Sequence, residues 1–143
     1  MKKSFIAIAS LLVLVVIIAA ACGSKTGSDG ATGKVIKTVT VDGLTATLSS
    51  STGQLKQGEQ EVTLAFTDSS GRPVDVGAVS LNLHMAQMGT MSAMTDAATF
   101  TTTNTPGVYR GKVNIEVGGE WQAQLAYEGP AGKGKVTFSV TAR

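Results

Sequence analysis

Alternation of apolar and polar residues recurs along most of this sequence after Lys34, and it constrains the fold more than any other feature. Successive side chains of a β-strand point to opposite faces, so a period of two places every second residue against a core. The alternation is clear in segments 62–67, 79–84, 112–117, 121–127 and 136–141. Two more segments, 35–41 and 44–50, flank Asp42-Gly43, a dipeptide typical of two-residue hairpin turns.

Glycine, proline and small polar residues separate these segments, and no stretch of normal helix length is evident after residue 34. The breaks fall at 53–58, 69–73, 105–107, 118–119 and 129–134. Seven or eight short strands divided in this way are typical of an antiparallel sandwich. The sequence therefore predicts an all-β fold over residues 35–143, an antiparallel immunoglobulin-like β-sandwich of seven to eight strands.

The first 21 residues predict a cleaved bacterial lipoprotein signal peptide. Lys2 and Lys3 precede an apolar run over 5–21, which ends in three alanines directly before Cys22. A charged start, an apolar middle and small residues before the break are typical of a secretory signal. The end of the run resembles a lipobox, in which cleavage leaves the cysteine to carry lipid. An uncleaved N-terminal anchor is the alternative, and either would place the remaining chain outside the cytoplasm.

Residues 22–34 predict a lipidated cysteine followed by a flexible tether. Segment 23–34 is rich in Gly, Ser and Thr and has no large apolar side chain, so it cannot bury enough surface to order itself. We therefore expect an extracytoplasmic domain held on a bacterial membrane, at the periplasmic face or the cell surface, through lipid on Cys22.

Composition excludes several classes of function. The formal net charge of +2 belongs to the signal, because the chain from residue 22 has ten basic and ten acidic side chains. A neutral domain without a Lys/Arg cluster gives no footprint for nucleic acid. Cys22 is the only cysteine, so no disulfide or thiolate metal site is expected. The sequence shows no nucleophile–base set and no phosphate-binding glycine loop, which predicts a protein that is not an enzyme and has no evident small-molecule substrate.

One methionine-rich segment over 84–94 carries the candidate chemistry. Its candidate ligands are all four methionines that follow Met1 and the only histidine of the chain: Met85, Met88, Met91, Met94 and His84. Thioethers are soft ligands that select Cu(I) and lose no proton on binding, and imidazole also suits copper. A site made of carboxylates would favour calcium or magnesium instead. The segment therefore predicts a copper site, with Cu(I) preferred.

The order of preference among these ligands depends on where the strand that begins at Val79 ends. In an unbroken strand Met85 would face the core and His84 the opposite face, so both could not bind one ion. We therefore expect the strand to end near Leu83, with Gly89 allowing the loop to fold back. The predicted order of ligands is Met88, Met91 and Met94, then Met85, with His84 optional. If the imidazole of His84 also bound the ion, the site could hold Cu(II) as well as Cu(I).

Other interpretations of the methionine segment remain open. A spacing of three residues could be a short helical stripe packed on the core. Methionine also fills gaps in cores, and it forms adaptable surfaces for protein partners. In the last case the protein is a non-metal interaction module whose methionine loop contacts a membrane protein. A methionine-based oxidant sink is a further alternative.

Two aromatic residues are assigned to the scaffold. Trp121 starts an inward-facing strand and is predicted to anchor the core. Tyr109 follows Pro106-Gly107-Val108 and is predicted to be a strand-edge or corner tyrosine rather than an acid.

Three motifs in segment 79–140 resemble the YtkA-like and FixH-like extracytoplasmic domains. They are a strand leading into Met85-Ala-Gln-Met88-Gly89, then Pro106-Gly107-Val108-Tyr109, then Gly118-Gly119-Glu120-Trp121. The resemblance implies a small β-sandwich that handles copper or serves the maturation of haem-copper oxidases. A copper exporter or oxidase assembly proteins would then be its partners. The chain departs from the pattern at Ala86, where many relatives carry proline, and it looks like a lone lipoprotein rather than part of an assembly set.

Overall fold

A computed structural model of the protein describes residues 33–143. The predicted signal peptide, Cys22 and nearly all of the predicted tether lie outside these residues. The described chain forms eight β-strands: β1 Lys34–Val41, β2 Leu44–Ser50, β3 Gly58–Thr67, β4 Ala78–Met85, β5 Met94–Thr102, β6 Val108–Ile115, β7 Gly119–Gly129 and β8 Gly132–Ala142. From residue 33 onward no helix is long and apolar enough to cross a membrane. The prediction of an all-β fold with seven to eight strands is confirmed.

All neighbouring strands pair antiparallel, in the order β1-β2-β3-β6-β5-β4-β7-β8. Strand β5 holds the two halves together, because its residues up to Thr99 pair with β4 and its last three, from Phe100, pair with β6. The sheet curls until β1 contacts β8, so it is nearly closed around one core. The turn between β1 and β2 has positive φ at both Asp42 and Gly43, as the predicted two-residue hairpin turn requires.

Aromatic side chains fill this core near both ends of the strands. The ring of Phe66 meets those of Tyr109 and Tyr127 edge to face, with ring centroids 5.8 and 5.7 Å apart respectively. Trp121 is only 1% exposed, and its indole N–H donates to the carbonyl of Val117 at 3.0 Å. Its prediction as a core anchor is confirmed. The alternation was predicted to continue through Val117, but β6 ends two residues earlier, at Ile115. The chain turns after Ile115, and the carbonyl of Val117 then faces the indole of Trp121.

Tyr109 ties β6 to the connection between β3 and β4. Its hydroxyl donates to Asp75 Oδ1 at 2.7 Å and accepts from the buried N–H of Val76 at 2.8 Å. This confirms the predicted corner tyrosine.

We expect Tyr109→Phe to lower the free energy of unfolding by about 1–3 kcal/mol, because the buried N–H of Val76 loses its acceptor. Urea unfolding followed by circular dichroism measures the change. Tyr127→Phe is the matched control, since Tyr127 also packs on Phe66 and its hydroxyl makes no hydrogen bond within residues 33–143. An equal loss of stability in the two variants would contradict the assigned role.

The same hydrogen bond predicts how stability depends on pH. The hydroxyl of Tyr109 holds the pKa of Asp75 below its ordinary value. A carboxyl whose pKa is lowered by folding stabilises the folded state above its ordinary pKa, and this contribution is lost as pH falls through the lowered value. The urea concentration at which half of the protein is unfolded should therefore decrease as the pH is lowered below about 4. Tyr109→Phe removes the main cause of the lowered pKa and should flatten that slope, and an unchanged slope would contradict the coupling.

Antiparallel order places the strand ends at two opposite ends of the sheet. We call one of these the hairpin end. It contains the start of β1, the connections 51–57, 86–93 and 116–118, and the last residue, Arg143. The far end contains the connections 42–43, 68–77, 103–107 and 130–131. The predicted copper ligands are therefore grouped at the hairpin end.

Candidate metal centre

Strand β4 continues through Met85, so the expected strand end near Leu83 was wrong. The alternation of buried and exposed residues in β4 continues past Leu83 to Met85. Met85 is therefore buried, with 4% of its surface exposed. Its methyl group packs so closely against the start of β7 that a Cβ added at Gly119 would lie 3.1 Å from it. The strand extends because the core has room for this thioether.

The longer strand separates His84 from Met85. Since consecutive residues of a strand face opposite sides, His84 is exposed on the outer face while Met85 lies in the core. The ring Nδ1 of His84 is 3.3 Å from Oγ1 of Thr95 on the neighbouring strand. The structure therefore does not bring the histidine together with Met85.

A tight turn brings Met88 and Met91 together. The N–H of Met88 donates to the carbonyl of Met91 at 3.2 Å, and the N–H of Met91 donates back at 2.9 Å. The two residues between them, Gly89 and Thr90, form the turn, with φ of +56° at Gly89. The segment is thus a hairpin, and its interpretation as a helical stripe was wrong.

Hairpin register explains the spacing of the four methionines. Met85 pairs with Met94 at the base of the hairpin, and Met88 pairs with Met91 at its tip. We call residues 85–94 the methionine hairpin. Directly opposite residues of antiparallel strands have Cβ atoms about 4.5–5.5 Å apart, close enough for both side chains of a pair to contact one ion.

The two pairs differ in exposure. Met88 is 61% exposed and Met91 38%, whereas Met94 is partly buried against the core and Met85 is fully buried. The core interpretation of methionine therefore holds for Met85. The tip pair fits both remaining interpretations, a soft metal site and an apolar partner surface.

Asp96 stands beside the base of the hairpin, and sequence reasoning gave it no role. Its carboxylate Oδ2 accepts a hydrogen bond from the backbone N–H of Asn114 at 2.9 Å. The bond lies beyond Phe100 and Gly111, the pair at which the ladder between β5 and β6 stops. The carboxylate thus replaces a missing ladder bond. Nothing in the local sequence signals this, because the contact depends on the neighbouring strand, 18 residues away.

The donor atoms of the hairpin are neutral. Within residues 33–143, His, Cys, Asp and Glu form no group of three that could hold a metal ion. No ion pair of this part of the chain involves the methionine hairpin. The exposed tip pair, Met88 and Met91, offers two thioethers, which are ligands that suit a soft monovalent cation such as Cu(I). Met94, at the base of the hairpin, is partly buried against the core.

An antiparallel all-β domain with an exposed methionine hairpin is the class that the fold and the site define. The chain belongs to the YtkA-like family, whose model matches residues 38–126, from β1 to within β7. The resemblance to YtkA-like domains is thereby confirmed, while the FixH-like resemblance and the lipid on Cys22 stay predictions. Neither the curated proteins nor the solved structures contain a significant match to this chain.

Proposed function

We propose that this protein is an extracytoplasmic, lipid-anchored copper-binding protein that holds Cu(I) at its methionine hairpin. It would buffer copper, or pass it to an exporter or to proteins that assemble an oxidase. The observation that carries the proposal is the tip pair: Met88 and Met91 lie opposite each other on one turn, and both residues are exposed. Soft neutral ligands in this arrangement favour Cu(I) over harder cations.

The structure refines which ligands we propose. Met88 and Met91 are the first two, and the partly buried Met94 at the base is the third. Met85 is assigned to the core, because binding an ion would require it to leave the contact with Gly119. His84 remains an optional ligand, to be recruited from the outer face.

Competition between the full chain in detergent and a Cu(I) chelator tests the proposal. We expect Met88→Leu/Met91→Leu to weaken Cu(I) binding at least ~100-fold, since even residues behind a metal ligand commonly contribute about 10–100-fold. Leucine keeps the apolar volume and removes only the sulfur. His84→Ala, the control, should change the affinity less than the double variant does. Equal affinity of the native chain and the double leucine variant would contradict copper binding at the tip.

The exposed tip also supports a second candidate, a non-metal interaction module. A turn that presents Met88 and Met91 to solvent offers a small apolar contact for a protein partner. The double leucine variant would then keep partner binding, whereas replacement of both residues with glutamine would abolish it. Copper would have no influence on either result.

A further inference from the structure

The chain enters the domain at the hairpin end. Lys34, the first residue of β1, pairs with Ser50, the last of β2. Gly33 is pressed against this pair, because a Cβ added there would lie 2.7 Å from the carbonyl oxygen of Ser50, and its φ is +135°. The point at which the preceding residues reach the domain is therefore fixed at the same end of the sheet as the methionine hairpin.

The number of residues before Gly33 limits how the domain can face a membrane. Ten residues separate Cys22 from Gly33, and ten residues span at most about 36 Å when fully extended. Strands of 8–11 residues are themselves about 26–36 Å long. For the far end to face the bilayer, these ten residues would have to run nearly extended along the whole domain. The hairpin end can face the bilayer without any such extension.

Exposed apolar side chains are found at the same end. In residues 33–143 the large apolar side chains that remain exposed are Val35, Met88 and Met91. Val35 is the second residue of β1 and the two methionines form the hairpin tip, so all three belong to the hairpin end. Exposed apolar groups concentrated at one end favour an apolar or membrane-associated partner there.

We infer that the methionine hairpin faces the bilayer, and that the protein exchanges copper with an integral membrane protein rather than with a soluble carrier. This inference rests on the proposed function, both for the lipid on Cys22 and for copper at the tip. The exchange is a ligand substitution: bonds from Cu(I) to the sulfurs of Met88 and Met91 break as bonds to thioether or thiolate sulfurs of the partner form. Copper stays monovalent, and no electron moves.

Energy transfer to labelled lipids tests the orientation. One donor dye is attached through Thr90→Cys at the hairpin tip, or through Ala131→Cys in the exposed far-end turn. The full lipidated chain is placed in phosphatidylcholine vesicles that carry a headgroup acceptor. We expect clearly higher transfer from position 90, since position 131 should lie about 30 Å farther from the bilayer. Equal transfer, higher transfer from position 131, or failure of the chain to remain on the vesicles would overturn the inference.

A photoreactive residue at the same two positions tests the partner class in bacterial cells. We expect adducts from position 90, and not from position 131, with proteins that stay in the membrane after alkaline carbonate washing. Adducts with soluble proteins, or with lipid alone, would overturn the inference. The copper titration remains independent of these readouts. A chain that binds Cu(I) but shows equal transfer from both positions contradicts the orientation and leaves the copper site standing. Higher transfer from position 90 without Cu(I) binding supports the orientation, and contradicts the copper site together with the copper exchange that rests on it.

Discussion

Trp121→Ala should lower the free energy of unfolding by about 3–5 kcal/mol, the range typical of removing a buried tryptophan or phenylalanine ring. The indole is among the largest fully buried side chains, and its N–H satisfies the carbonyl of Val117. Since a domain of this size is stable by only about 5–15 kcal/mol, the variant should be close to unfolding. Thermal and urea unfolding followed by circular dichroism would measure the loss.

Trp121→Phe separates the two contributions of this residue. Phenylalanine keeps an aromatic ring in the core but cannot donate to Val117, so its effect should be clearly smaller than that of alanine. A loss below about 1 kcal/mol for Trp121→Ala would show that the ring does not anchor this end of the core.

Met85→Ala should destabilise the domain by about 2–5 kcal/mol, because the thioether fills the core beside Gly119. Met88→Ala is the matched control, and its effect on stability should stay within about 0.5 kcal/mol, because its side chain is mostly exposed. Urea unfolding of the two variants makes this comparison directly.

Met85→Leu tests the same residue for copper without a large cost in stability. The substitution conserves volume and should cost less than about 1.5 kcal/mol. It removes one sulfur, yet we expect the Cu(I) affinity to stay close to that of the native chain. A loss as large as that of the double leucine variant at Met88 and Met91 would place Met85 among the ligands after all.

Seven of the eight strands could be predicted because their inward residues are strongly apolar and alternate with polar ones. The exception is β5, whose inward positions are Met94, Asp96, Ala98 and Phe100. Two of these are weak markers of a core. The strand is held by pairing with β4 and β6 on either side, and such pairing partners cannot be read from the strand's own residues.

The candidate site was found by composition, but its arrangement was not. Clustering of methionine around one histidine is visible in the sequence. The division into a pair at the base, Met85 and Met94, and an exposed pair at the tip depends on where β4 ends. That end is decided by the fit of Met85 against Gly119, 34 positions further along the chain. The spacing of three residues, which suggested a helix, results from the register of a hairpin with a two-residue turn.

The position of the methionine hairpin relative to the start of β1 could not be predicted without the order of the strands. The first and last strands of the described residues, through the start of β1 and the end of β8, meet at the same end of the sheet as the methionine hairpin. No local pattern specifies this, since it follows from the antiparallel path of all eight strands.

X-ray absorption at the copper edge, recorded on the full chain loaded with Cu(I), tests copper binding at the hairpin tip most directly. We expect sulfur atoms in the first coordination shell of the native protein, and a loss of sulfur from that shell in Met88→Leu/Met91→Leu. A native shell of nitrogen and oxygen alone, or a sulfur shell that the double variant leaves unchanged, would contradict the proposed site.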